Sequence, residues 1–324
     1  MLQNLYMTFS VVFPFLVYLG IGIWLRHSKM VDEHATAKMN RFVAQVLFPV
    51  NLFNVAYKID LGAMLRQPTA LYVALLFGLS LGFLMLVVPR LEKDPARQCT
   101  MVHCGFRTNI TLYAIAVSEG IFGEMVPEVT LTLVLLTLLN NITSVPVLER
   151  YQKKILAARG DQAAVKKTSP AALVLGWLKN PLLVGLLLGM LWSLARIPMP
   201  ELGAKTINNI SVCAVPISFI MLGARLDLNH LRINSRNILL TTLYKLVLIP
   251  LVAFIYPIAA GWTPRQLIAV LVAFATPTAV VTYVTTIEYD GDGEMAGEIV
   301  SVSTVFSMLT IFLFLFGLRQ AGLI

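Results

Sequence analysis

Hydrophobic residues fall along this chain in long unbroken runs separated by short charged breaks. A half-buried strand would alternate instead, and a soluble helix would show a one-sided stripe. A helix rising about 1.5 Å per residue needs about twenty apolar residues to cross a hydrocarbon core of roughly 30 Å. Ten such runs can be read: Thr8 to Leu25, Asn40 to Ala56, Thr69 to Pro89, Cys99 to Phe122 and Pro127 to Leu148, then Ala172 to Ala195, Leu202 to Gly223, Asn237 to Ala260, Pro264 to Ile287 and Met295 to Leu318. The pattern predicts an all-α integral membrane protein with ten transmembrane helices.

The one long hydrophilic stretch, Glu149 to Ser169, carries Arg150, Lys153, Lys154, Arg159, Lys166 and Lys167. It divides the chain into a five-helix unit over 1–149, a basic linker over 150–170 and a second five-helix unit over 171–324. The two units resemble each other. Pro14 and Pro181, Pro49 and Pro216, and Asp60 and Asp227 share one offset, the last pair inside Lys58-Ile59-Asp60-Leu61 and Arg225-Leu226-Asp227-Leu228. At a slightly larger offset, Gly123-Glu124-Met125 recurs as Gly293-Glu294-Met295, and Thr108 and Tyr113 match Thr278 and Tyr283. An odd number of helices per unit makes the second enter the membrane from the opposite face, so the expectation is an inverted repeat. In such architectures, interrupted segments at matching positions of the two halves mark the binding site, and here those are the fourth and ninth runs.

Both carry polar chemistry at their centres. The fourth contains Phe106-Arg107-Thr108-Asn109-Ile110-Thr111-Leu112-Tyr113. A cation near the bilayer centre costs roughly 2.5–3.5 kcal/mol on insertion scales, so Arg107 faces protein, water or an ion rather than lipid. It can hold an anion, or cap the carbonyls of a broken helix. The ninth contains Ala275-Thr276-Pro277-Thr278-Ala279, where proline removes an N–H and clashes with the preceding turn. Backbone groups freed there are tolerated only if they line a cavity or are buried in protein. Lys245, in the eighth run, can neutralise carbonyl ends, bind substrate, titrate or snorkel. Asn140, Asn141 and Ser144 in the fifth run and Asn51 in the second form polar patches, read as an interhelical network or an ion site.

Composition narrows the classes. A chain 57% hydrophobic and 13% charged, with a mean hydropathy of +0.78, lies outside the range of soluble domains. The net charge of +8 reports orientation. Lysine and arginine crowd the breaks after the odd-numbered runs, which places those breaks in the cytoplasm and both termini on the non-cytoplasmic side. No basic run is interleaved with exposed aromatics, so nucleic acid is not an expected partner. Three cysteines give no complete disulfide framework, and the four histidines lack metal-ligand spacing. No acidic residue lies well inside a run, which argues against a proton exchanger built on buried carboxylates. The first run reads as a retained helix rather than a signal peptide.

Arg107-Thr108-Asn109 followed by Gly120-Ile121-Phe122-Gly123, Lys179-Asn180-Pro181-Leu182, Met221-Leu222-Gly223-Ala224, Lys245 through Pro250, Ala275-Thr276-Pro277 and the serine-rich last run around Ser301 and Ser307 form an ordered set. Through them the chain resembles a bacterial member of the auxin efflux carrier family, within the larger group that includes bile acid–sodium symporters. The resemblance implies ten helices in two inverted five-helix repeats, with helices four and nine broken and crossing at the midplane. It also implies transport of small carboxylates, such as malate, malonate or auxin, across the bacterial inner membrane. Where many members carry a glycine- and proline-containing pattern after the asparagine, this chain has Thr111, Ala114 and Ala116.

The resulting expectation is a secondary active transporter of a small carboxylate-bearing anion, working by alternating access. Its substrate would meet Arg107, Thr108, Asn109, Thr111, Tyr113, Thr276, Pro277, Thr278, Tyr283 and Lys245. Two alternatives stand beside it: a sodium-coupled symporter of a larger amphipathic anion, and a membrane receptor that binds without transport. No cofactor, metal or catalytic group is expected. A coupling ion, sodium or proton, is left open, as is a homodimer.

Overall fold

The computed structural model describes residues 2–58, 67–160, 179–226 and 236–324. Asp60, Asp227, the linker beyond 160 and the first residues of the sixth run lie outside the described residues. Every described element is helical, and the β-type pairing among the described residues is one isolated bridge. In chain order the helices are α1 (Leu2–His27), α2 (Glu33–Phe42), α3 (Phe48–Ala56), α4 (Pro68–Leu91), α5 (Pro95–Phe106), α6 (Ile110–Phe122) and α7 (Pro127–Ala158). There follow α8 (Pro181–Leu194), α9 (Glu201–Ser211), α10 (Ala214–Arg225), α11 (Arg236–Leu243), α12 (Ile249–Ala259), α13 (Pro264–Phe274), α14 (Val281–Glu288) and α15 (Gly293–Gln320).

Local sequence explains where they start. Asp94-Pro95, Asn180-Pro181 and Thr263-Pro264 each put a capping side chain before a proline whose missing N–H costs nothing in a first turn. Thr263 and Gln266 add a full capping box. The π-type turns Val43–Leu47, joining α2 to α3, and Tyr244–Leu248, joining α11 to α12, each lie just ahead of a proline, Pro49 or Pro250. The ring displaces the carbonyl one turn back, and a wider turn absorbs it without ending the helix.

Six helical stretches are long and apolar enough to cross a membrane: α1, α4, α7, α9 with α10, α11 with α12, and α15. α6, α8 and α13 are shorter apolar helices. α7 continues through Ala158, into the stretch read as linker, because Leu148, Tyr151, Gln152 and Ile155 form a buried stripe at helical spacing beneath its basic face. Leu71, Leu75, Leu79, Phe83 and Leu86 of α4 line one exposed apolar face, as expected where the solvent is lipid.

Two close crossings organise one side of the bundle. α1 packs on α10 so tightly that a Cβ on Gly22 would collide with the Ile220 carbonyl and lie 2.7 Å from Ala224 N; one on Gly223 would collide with the Leu19 backbone. α8 meets α3 in the same way, with Gly185 against Pro49 and Gly189 against Phe53 and Ala56. Small residues at these points let backbones approach, and dispersion between helices replaces the hydrophobic drive that lipid cannot supply.

Candidate functional site

α5 stops at Phe106 and α6 starts at Ile110; α13 stops at Phe274 and α14 starts at Val281. The two interruptions meet. Asn109 N donates to the Pro277 carbonyl at 2.8 Å, Ala279 N donates to the Arg107 carbonyl at 3.3 Å, and Thr108 lies opposite Thr278 in an antiparallel bridge. The Thr278 hydroxyl donates to the Cys104 carbonyl at 2.9 Å, and Thr278 N donates to Ser303 Oγ at 3.3 Å. Each break therefore satisfies backbone groups that the other leaves free, which is what permits irregular backbone among buried apolar helices.

Beside the crossing lies a cavity of about 290 Å³, walled by Arg107, Thr108, Asn109, Ile110, Thr111 and Leu112 on one segment and by Ala279, Val280 and Val281 on the other. Thr137 and Asn140 of α7, Ser218, Leu222 and Arg225 of α10, Asn40 near the end of α2 and Val43 in the π-type turn that follows it also line it. Arg107 is 9% exposed, and its Nη1 donates to Ser144 Oγ at 2.6 Å. Ser144 in turn donates to the Asn140 carbonyl at 2.6 Å, and Asn140 Nδ2 donates to Thr108 Oγ1 at 3.3 Å. One turn of α7 thus holds both Arg107 and Thr108. Among the described residues no carboxylate pairs with Arg107, and no Asp or Glu lines the cavity. The first N–H groups of a helix have no intrahelical acceptor and carry the positive end of its dipole. The starts of both α6 and α14 are on this wall, and neither has a side-chain cap. A permanent cation, two helix starts and several hydroxyl and amide groups suit a small anion.

The other residues singled out in the sequence sit elsewhere. Tyr113 is fully buried, with its hydroxyl 3.1 Å from Ser307 Oγ. Thr276 donates to the Val272 carbonyl at 3.1 Å, one turn back in α13, and Pro277 contributes its carbonyl to the crossing. Lys245 is buried behind α5, with Nζ 3.5 Å from the Phe106 carbonyl at that helix's C-terminal end. A cation there opposes the negative end of the α5 dipole. Asn51 Nδ2 donates to Ser211 Oγ at 2.8 Å, linking α3 to α9, and Asn141 Nδ2 donates to the Thr137 carbonyl at 2.7 Å within α7. Tyr283 lines a second cavity of about 680 Å³, with Arg26, Glu33, Arg225 and Glu294 on its wall.

Two features had no sequence signal strong enough to single them out. Arg225 ends α10 and reads in sequence as one more loop base, yet it lines both cavities. His103 is fully buried in α5, with Nδ1 2.9 Å from Thr286 Oγ1 of α14. It ties the entering half of one broken segment to the leaving half of the other. Its place one turn ahead of Arg107 was the available clue.

Six apolar stretches of spanning length, together with paired helix interruptions around a cationic cavity, define a multi-pass membrane transporter. The chain belongs to the membrane transport protein family, that of the auxin efflux carriers, whose model matches residues 7–315. No curated protein matches the chain.

Proposed function

We propose that this protein is a secondary active transporter that moves a small carboxylate-bearing organic anion by alternating access. Its ten spans would form two inverted five-helix repeats, carried in a bacterial inner membrane with both termini outside the cytoplasm. The observation that carries the reading is the reciprocity of the crossing. Asn109 N to Pro277 O and Ala279 N to Arg107 O are the same contact seen from each half, since the offset relating Thr108 to Thr278 also relates Asn109 to Ala279 and Arg107 to Pro277. A contact between equivalent residues lies on the axis relating two repeats. The glycine packing supports the same relation between the halves: Gly22 on Ile220 corresponds to Gly189 on Phe53 at the slightly smaller offset of the early proline matches.

At about 290 Å³ the cavity is at the small end of the ligand-pocket range of roughly 300–1,000 Å³, which favours a compact anion over a large amphipathic one. Arg107 would grip the carboxylate and the start of α6 would share its charge. The binding group would also include Thr108, Asn109 and Thr111, with Asn140 and Ser144 holding the arginine and threonine in place. Uptake and counterflow of labelled mono- and dicarboxylates in proteoliposomes, with and without a sodium gradient, test the function. Arg107→Ala should abolish uptake while the protein still inserts and purifies as a folded species. Undiminished uptake by Arg107→Ala would remove its role, and a wild-type protein that binds carboxylates without counterflow would be a receptor.

A further inference from the structure

The two cavities on the Arg225 side of the crossing differ in charge. Among the described residues the outer one is lined by Arg26, Arg225, Glu33 and Glu294, a balanced set. The inner one has Arg107 and Arg225 and, among the described residues, no acidic residue. Leu222, Arg225 and Val280 belong to both walls, so the Arg225 side chain stands at the boundary that the two cavities share. Both arginines are exposed and neither pairs with a carboxylate among the described residues; Arg26 Nη1 donates to the Ala224 carbonyl at 3.4 Å, and of the two Arg225 alone lines both cavities.

We propose that Arg225 is an anion-handover residue, which takes a carboxylate at the boundary of the two cavities and passes it inward to Arg107. The inference rests on the transporter reading given above and adds to it a second cationic station. A small anion leaving a charge-balanced rim for a solely cationic interior moves down an electrostatic gradient, and low-dielectric walls concentrate that field. The position recurs. At the offset of the early proline matches, Arg225 corresponds to Lys58, which lines a separate cavity of about 590 Å³ together with two carboxylates, Glu119 and Glu124.

The test uses thiol chemistry in place of the unidentified substrate. In full-length Cys213→Ser protein, Ser218→Cys puts a reporter thiol on the inner wall; Cys99 and Cys104 are buried. Its modification rates by the anionic sulfonatoethyl and the cationic trimethylammonium-ethyl methanethiosulfonates are measured in detergent. Arg225→Gln should lower the anionic-to-cationic rate ratio about tenfold, the low end of charge-focused rate enhancement. Arg225→Lys should restore it, and Arg26→Gln should leave it within about twofold of the parent. In the Arg225-containing parent the ratio should also fall as salt rises from ~20 to ~500 mM, a measurement independent of how the Gln variant folds. A ratio unchanged in Arg225→Gln, equally lowered in Arg26→Gln, or indifferent to salt overturns the assignment. No transport enters these rates, so the handover role can fail with uptake intact, and uptake can fail with the role intact.

Discussion

Gly20 and Gly22 lie two residues apart on α1 and so on different faces, and the same substitution should have opposite effects at the two. A Cβ at Gly20 meets nothing within 4 Å. Gly20→Ala therefore gains only helix propensity, at most about 1 kcal/mol. A Cβ at Gly22 collides with the Ile220 carbonyl and approaches Ala224 N to 2.7 Å and Ile220 C to 2.9 Å. All three atoms are backbone of α10, so no side chain can rotate away, and the helices must separate. Overpacking costs about 1–3 kcal/mol where neighbours adjust. A gap of 0.5–1 Å along a crossing forfeits roughly a quarter to a half of each dispersion contact there. Net of propensity, Gly22→Ala should be less stable than Gly20→Ala by about 2–4 kcal/mol. For a chain of this size that is a melting difference on the order of 5 °C. Thermal unfolding of the two variants in one detergent measures it directly. Gly189→Ala, with Phe53 O at 2.8 Å, should repeat the loss if the two halves pack equivalently. Equal melting of Gly20→Ala and Gly22→Ala would refute the backbone-to-backbone crossing and, with it, the packing support for the repeat.

Three further outcomes are expected. Lys245→Met should lower thermal stability by about 1 kcal/mol, the value of a cation at a helix C-terminus, and leave the KM for uptake unchanged, because Lys245 is off the cavity wall; a raised KM with unaltered melting would place it in the substrate path. Ser144→Ala should weaken carboxylate binding roughly three- to tenfold by releasing Arg107, a change read by calorimetric titration, while Asn141→Ala should not. Outside the spans, Glu92 has its carboxyl held below the ordinary 4.5, first by the Asp94 backbone N–H and also by the Asn237 side chain, which bonds it across to α11. A depressed folded pKa means the tie is in place above about 4.5 and is lost as pH falls through the lower folded value. Hydrogen exchange at the start of α5 should accelerate in that acid window, and Asn237→Ala should move its onset to higher pH.

Much of the site could be read from residues alone. Arg107 and Pro277 stand out because lipid gives no solvation to a guanidinium and a helix gives no room to a proline ring, so each demands a special surrounding. The matching of Thr108 with Thr278 anticipated which residues would meet. Arg225 was not legible as a site residue, since at a helix end a base looks the same whether it faces headgroups or a cavity. Lys245 shows the converse: a buried cation is visible in sequence, but whether it meets substrate or a carbonyl depends on which helix packs beside it.

The sequence by itself determined the membrane class, the family, the positions of the long apolar helices and the two places where a helix must break, because lipid penalises each exposed polar group wherever the chain later folds. Only the tertiary structure decided that the breaks satisfy one another through Asn109, Pro277, Arg107 and Ala279. It also decided that Ser144 holds Arg107, that Lys245 turns to Phe106, and that Arg225 borders two cavities. Those outcomes depend on crossings set by backbone contact at Gly22, Gly185, Gly189 and Gly223, and such long-range packing leaves no periodic signal along the chain.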